Sequence, residues 1–497
     1  MDYSLPHFRV DFQDWLAGNN LYDDYPNGGL LASASGYNPF RYPGLLVPNK
    51  DYSTTTITSG LVRAPVIAAD ITTDSGFNFV AVGSQGDPND DIAAGTFYLI
   101  DPETGAMSVL TNPGGAAINY NYQLGWSEAV TGELGNVFIT SEDDVTLVNP
   151  SHGTLRVDQG WGNANGISGG LNSLNMHPMA RFEEFIYIGD GNNVHQIDID
   201  AGTAIEDYFE AIPTNFEVTS MEQHKSYLLM AITQYAGDIL DPDYSVYNSN
   251  TGHEILAWDG FSPSFTDRFP VPNQVTAMRS TPEGICYIWT TKHFGYLNGS
   301  RFEPLRELTS RVYKHMIVPA PHGGVMYAQG TKVVRYSSAV PGGKKFFTVQ
   351  ADAGLTITSI LQAFETRLMV FTDSGDNAVA GKNLLWDDLD AGTPGTKSFA
   401  FNQRVLRVNC KVRHVVIETE GLNGGSVQVQ YYDQNGDLRD CGTFNGAGAQ
   451  AGKRAWNFAI HSHPGTNVIK PYITISGGAK LRAFEFYYEQ TGQTNNA

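Results

Sequence analysis

Between residues 64 and 402 the chain repeats one kind of segment about every 40 to 57 residues, and this period narrows the possible folds more than any other feature. The units start near residues 64, 122, 174, 218, 275, 315 and 356. Each holds short β-rich runs separated by Gly, Asn or Asp turns, such as Asp101-Pro102-Glu103-Thr104-Gly105. The runs FVAVG (79–83), YLLMAI (227–232), ICYIWTT (285–291) and LMVFTD (368–373) are nearly continuous in apolar residues rather than alternating. A strand of that kind is buried on both faces. A lone four-strand sheet covers neither of its faces, whereas radial stacking of such sheets covers both and leaves few edges exposed. The pattern therefore predicts an all-β chain whose residues 61–403 form a β-propeller of about seven blades. A competing solution, two or three consecutive sandwiches, requires cleaner polar alternation than these runs show.

The flanks read differently. Residues 1–60 carry Pro26-Asn27-Gly28-Gly29, Pro39, Pro43-Gly44 and Pro48, which interrupt helix and strand alike, yet also Trp15, Tyr22, Tyr25, Tyr37, Phe40 and Tyr42. They are expected to form an extended arm that packs on its own propeller or on a neighbouring subunit. Over 404–490 strict alternation returns in stretches such as GSVQVQYYDQNGDLRDCGTF (425–444), and Asn435-Gly436 is a hairpin signal. This segment is expected to be an antiparallel β-sandwich of jelly-roll kind, followed by a flexible tail at 491–497.

Charge marks the same boundary. The formal net charge is −21, but residues 404–497 hold 10 basic and 7 acidic side chains, so the excess of acid lies in the preceding body. An acidic body repels phosphate backbones and anionic lipid, which argues against nucleic-acid or membrane binding there. Charged residues are only 17% of the chain, against about 25% in typical soluble domains. No apolar run approaches a membrane span, and MDYSLPHFRVDF has acid where a secretion signal needs basic residues, so a cytoplasmic origin is expected.

Chemistry-bearing motifs are sparse. Cys286, Cys410 and Cys441 lack zinc spacing and are expected to be buried free thiols, although Cys410 and Cys441 lie within one module. Trp258-Asp259 and Trp386-Asp387 invite comparison with WD repeats but lack the Gly-His partner, which leaves the tryptophans as core fillers. Three acidic loops offer oxygen ligands for calcium: Asp87–Asp91, Glu142–Asp144 and Asp433–Asp437. None has the twelve-residue loop with a closing Glu, so they read as solvated turns. His461 and His463 face one side of a predicted strand without a third ligand, and His315 and His322 read as loop residues. No His-Glu-x-x-His, Gly-x-Ser-x-Gly or phosphate-loop pattern occurs, and Thr372–Asp376 only partly matches a sialidase box. No catalytic residue, cofactor or metal is expected.

The layout as a whole resembles virion proteins of tailed bacteriophages. The resemblance rests on Gly28-Gly29-Leu30, Tyr42-Pro43-Gly44-Leu45 and GGSVQVQYYDQNGDL (424–438) within the order arm, propeller, sandwich. It implies a structural tail or head-to-tail component, such as a nozzle or hub. Such a protein is assembled in the host cytoplasm, contacts other virion proteins and forms a symmetric homo-oligomer, with no membrane anchor and no sequence-specific nucleic acid. An acidic surface lining a conduit would keep DNA from adhering. The alternative is a carbohydrate-binding or glycan-cleaving propeller acting on host polysaccharide, with Tyr431-Tyr432 and Tyr487-Tyr488 as stacking platforms. Alternation along a strand instead splits each tyrosine pair between core and surface.

Overall fold

The computed structural model describes residues 5–11, 31–34, 45–48, 53–56, most of 67–110, 120–234 and 252–401, then 403–445 and 455–491. Among these, helix is confined to the five-residue Trp161–Asn165 and the 3-10 turn Lys314–Met316. The chain divides into two compact units, residues 53–331 with 352–386, and residues 1–52 with 332–351 and 387–497.

The first unit is a β-propeller. Sheet 1 holds Ile67–Thr73, Gly76–Ser84, Ile92–Ile100 and Met107–Val109; sheet 2 holds Ala129–Thr131, Val137–Thr140, Val145–Asn149 and Arg156–Asp158. Sheet 3 holds Met179–Phe182, Phe185–Asp190, Asn193–Asp198 and Thr203–Phe209, and sheet 4 Phe216–His224, Tyr227–Gln234, His253–Trp258 and Asp267–Pro270. Sheet 5 holds Val275–Ser280, Cys286–Thr290, His293–Asn298 and Arg301–Glu307. Sheet 6 starts with Ile317–Pro319 and Val325–Gln329 and continues in strand order with Lys332–Ser337 and Lys345–Ala351. Sheet 7 holds Thr356–Ala363, Arg367–Asp373 and Lys382–Trp386, and takes its fourth strand, Ser53–Thr56, from the N-terminal segment. The first strands of successive sheets pack against one another from sheet 1 to sheet 7, which makes them the inner strands.

The expectation of about seven blades is corrected to five. Five sheets, 2 to 6, are regular blades of four consecutive strands. Sheet 1 departs because its third strand is long enough to pair with Met107–Val109 at one end and with a fifth strand, Tyr120–Gln123, at the other. Sheet 7 departs because its fourth strand, Ser53–Thr56, comes from the N-terminal side of the chain and covers the edge of Lys382–Trp386.

The apolar runs do what their pattern requires. Along Tyr227–Gln234, Leu228, Met230 and Ile232 pack with residues of sheet 3, while Leu229 and Ala231 pack with sheet 5. One strand thus serves two cores. Backbone closeness at the seams excludes side chains: a Cβ on Gly189 would lie 2.9 Å from Val218 Cβ. Polar cross-links accompany the packing. Glu217 Oε1 accepts the Met176 N–H at 2.8 Å, Val218 N–H donates to the Gly191 carbonyl at 2.8 Å, and Ser359 Oγ donates to the His315 carbonyl at 3.1 Å.

The second unit is β-sandwich-like. Among the described residues, nine of its strands are joined in one hydrogen-bonded network, within which Arg404–Gly421 changes partner. Around Arg404 it pairs with Thr466–Ser476, and from Cys410 onward it lies between Lys480–Gln490 and Ala455–Ala459. Such a switch lets two sheet halves face each other. Val412, Val415 and Ile417 from one half meet Val427, Val429, Ile473 and Phe399 from the other in a single core. The N-terminal segment joins this unit: His7–Asp11 pairs with Lys480–Gln490, Leu31–Ala34 with Lys397–Phe401, and Leu46 bridges Leu481. Arg9 donates to Glu418 and Glu485 at 2.9 and 2.6 Å, tying that first strand to the exposed face.

Candidate functional site

The inner strands place a buried ion network inside the propeller. Lys314, on the 3-10 turn before sheet 6, donates to the Met179 and Met221 carbonyls at 2.6 and 2.8 Å. Its Nζ also lies 3.3 Å from Glu128 Oε2 and 3.6 Å from Glu222 Oε2. Both carboxylates are engaged further: Glu128 accepts the Met179 N–H at 2.9 Å, and Glu222 accepts the Ser280 N–H at 2.9 Å. Burial pushes the Glu128 carboxyl above the usual range, against the opposing pull of Lys314. A lysine from the approach to sheet 6 therefore ties sheets 2, 3 and 4 together. One turn position on, His315 has a ring nitrogen shut off from solvent, and burial holds its pKa down to about 4.

Above this network opens a cavity of about 620 Å³, lined by Ala129–Thr131, Arg181, Gln223, Lys225, Arg279, Ser280, Pro282, Lys314 and Pro319 among others. Four cations converge here, against Glu222 as the one carboxylate among the described lining residues.

A second buried cluster centres on Asp190. Its carboxylate accepts from Asn175 Nδ2 at 2.7 Å and the Asn172 N–H at 3.0 Å, and lies 3.5 Å from a ring nitrogen of both His177 and His195. Burial opposes ionisation, but the histidines and Asn175 together hold Asp190 well below the usual carboxylate range. Ser141, His177 and Asp190 are in the company of a hydrolytic triad but not in its geometry. His177 Nδ1 faces the Ser141 carbonyl at 3.0 Å, while Ser141 Oγ is turned to Asp144 at 2.8 Å. The cluster is cross-linking, with no positioned nucleophile.

A third feature lies at the outer margin of sheets 3 and 4. Tyr208, Phe209, Trp258, Phe261 and Pro263 line an open slot of about 470 Å³. Phe209 packs edge-on to Trp258 at 4.5 Å, and Phe261 is 84% exposed.

The residues singled out from the sequence fall mostly into structural roles. Trp258 is a core residue whose Nε1 donates to the Ser262 carbonyl at 2.8 Å, while Asp259 caps the following turn through the Phe261 and Ser262 N–H groups. The three cysteines are free and buried, and burial raises each thiol pKa. Asp433 accepts from Asn435 and Asp437 N–H and from Arg439, so its oxygens serve the hairpin. Asp144 similarly accepts the Val145 and Asn163 N–H groups. His463 spends both ring nitrogens, on Tyr431 OH at 3.1 Å and the Asp440 carbonyl at 2.8 Å. His315, read as a loop residue, lies on the 3-10 turn Lys314–Met316, half-buried with Nε2 shut off from solvent. Tyr431 and Tyr487 are buried while Tyr432 and Tyr488 are half-buried. Asp87–Asp91, Glu142, His322, Ser374–Asp376 and Asp387 lie outside the described residues. Among the described residues no group of three His, Cys, Asp or Glu is arranged to hold a metal, and no helix is long and apolar enough to cross a membrane.

Lys314, Glu128, Glu222, Arg181 and Arg279 carried no local signal in the sequence, because they come from different sheets and share no spacing. The only signal was scarcity, since the whole chain has 31 basic residues against 52 acidic ones.

Fold and sites together define an all-β protein built around a β-propeller. No protein-family profile and no curated protein matches the chain. Similar solved structures include a chain of the mitotic checkpoint complex, at 11% identity, covering 72% of this chain and 97% of that one, with a TM-score of 0.46. Another is the extracellular domain of the putative hybrid two component system BT4673 from B. thetaiotaomicron, at 9% identity, 84% and 48% coverage and a TM-score of 0.44. YCF48 from Cyanidioschyzon merolae gives 8% identity, 67% and 98% coverage and a TM-score of 0.43. Likenesses this distant carry no argument about activity, ligand or partner.

Proposed function

We propose that this chain is a structural assembly protein, a tail or head-to-tail component of a bacteriophage virion that associates with copies of itself in a ring. In this reading, sheets 1 and 7 close the propeller on either side of the five regular blades, and the second unit is a jelly-roll-like sandwich. The observation that carries the association is the outer slot of sheets 3 and 4. Tyr208 and Phe261 are exposed large apolar side chains there, on an outer strand and a loop. Exposed apolar groups backed by a packed aromatic cluster favour a partner surface over a solvated one. The buried charges support a non-catalytic role, because Lys314 is committed to cross-linking sheets and Asp190 to tying sheet 3 to the segment that enters it.

The same slot favours a second reading, glycan binding, since Tyr208 and Phe261 offer ring faces to a sugar. Light scattering on the purified full chain, with the wild type and Phe261→Ser compared, separates the two. The assembly reading expects a concentration-dependent oligomer that Phe261→Ser shifts toward monomer. A wild type that stays monomeric at high concentration and binds a glycan array through Phe261 overturns it in favour of the second.

A further inference from the structure

We propose that the cavity above Lys314 is a binding site for a multiply charged oxyanion, with phosphate or carboxylate groups as the recognised chemistry. Four sheets and one turn deliver its walls: Ala129–Thr131 from sheet 2, Arg181 from sheet 3, Gln223 and Lys225 from sheet 4, Arg279 and Ser280 from sheet 5, and Lys314 before sheet 6. Arg181 sits near the end of its inner strand, Arg279 one residue before the end of its own, and Lys225 on the turn leaving its strand. The inner strands run in the same sense around the propeller, so these positions converge at one mouth.

The charge balance there is opposite to that of the chain. In a protein of net charge −21, the cavity holds Arg181, Lys225, Arg279 and Lys314 against Glu222. Glu222 and Lys314 engage each other, Glu222 also accepting the Ser280 N–H, so the cationic side chains of the cavity beyond that pair are Arg181, Lys225 and Arg279. Among the described residues, neither Lys225 nor Arg279 has a carboxylate within ion-pair distance. Like charges gathered in a walled cavity repel, and low-dielectric walls strengthen that repulsion. A bound anion relieves that repulsion. Two guanidinium groups suit the bidentate geometry of phosphate and carboxylate, and the Arg181 Nε is already aimed by its bond to the Glu183 carbonyl at 3.2 Å. A volume of about 620 Å³ admits a small polyanion or the side chains of an acidic peptide.

The test is calorimetric titration of the full chain with sodium triphosphate, citrate and an Asp/Glu-rich peptide at low and near-physiological salt. Saturable binding that weakens with salt is expected for at least one of them. Arg279→Gln combined with Lys225→Asn should weaken it ~10-fold or more, whereas Arg268→Gln, on an outer strand beside Glu254, should not. Lys225 has φ 55, a left-handed turn conformation that asparagine adopts readily, so Lys225→Asn alone removes charge without strain and carries the test if the double variant melts early. Tighter binding of the peptide than of triphosphate assigns the anion to a protein segment, and the reverse assigns it to a free small molecule. No saturable binding of any of the three at low salt, or equal binding by wild type and Lys225→Asn, overturns the proposal. Neither result touches the assembly reading, which rests on the outer slot.

Discussion

Lys314 shows how one side chain can hold several sheets at once. Its side chain is 14% exposed, and its ammonium satisfies two backbone carbonyls while compensating two carboxylates whose side chains are 12–13% exposed. Removing one partner of such a buried set strands the others without a counter-charge. Lys314→Met is therefore expected to destabilise the propeller unit by about 3 kcal/mol at neutral pH, read as a lower midpoint in urea. The deficit should shrink on acidification. Burial raises the Glu128 pKa in the folded state, so below that pKa the carboxyl is neutral and its lack of a cation no longer matters. His315 makes a separate pH-dependent contribution. Its folded pKa is about 4, below the 6.5 of the free side chain, so the unfolded chain binds a proton first as pH falls. Stability should decline between about pH 6.5 and 4, by on the order of 2–3 kcal/mol from this group. His315→Gln should flatten that part of a melting-temperature profile; an unchanged profile would show that the ring is hydrated.

Strands in the middle of a blade are buried on both sides, and this sets what they tolerate. Tyr227–Gln234 sends Leu228, Met230 and Ile232 one way and Leu229 and Ala231 the other, so there is no solvent face on which to absorb a change. Met230→Ala is expected to cost about 3 kcal/mol. Gly189 is the more sensitive position, because its strand passes against Val218 and Pro178 with no room for a Cβ. Gly189→Val should force the seam between sheets 3 and 4 apart. The exposed Tyr208 fluorescence environment and early proteolysis around Thr203–Phe209 would report it. By contrast, the outer strand Thr203–Phe209 is mostly exposed, with only Phe209 buried and Ala204 half-buried, and polar substitutions there at Thr203 or Glu206 should be nearly neutral.

Across the whole molecule the N-terminal segment is used in both units. His7–Asp11 covers the edge of Lys480–Gln490, while Ser53–Thr56 covers the edge of Lys382–Trp386. Deleting residues 1–11 should lower the melting transition of the sandwich-like unit and leave the propeller unchanged, whereas deleting 1–57 should lower both. Limited proteolysis with mass spectrometry distinguishes them by the fragment first released. Much of this organisation was legible beforehand. Runs such as YLLMAI and ICYIWTT announced two-sided burial, since continuous apolar strands have no other stable placement. The alternation in GSVQVQYYDQNGDL announced a strand, a hairpin and a one-sided core, and Asn435-Gly436 forms that turn with Gly436 at φ 81. The strands in the arm were not legible, because His7–Asp11 and Ser53–Thr56 are ordered by edges hundreds of residues away.

Local chemistry thus determined which segments are strands, how each is buried and where turns fall, because period and turn residues act within a few positions. Only the tertiary structure decided which strands share a sheet at the ends of the repeat, and which charges meet. Lys314, Glu128 and Glu222 lie up to 186 residues apart, and so does the choice between a buried bridge and a solvated lysine. Charge pairing at such separations depends on where each sheet's backbone places its side chains, and no spacing along the chain encodes it.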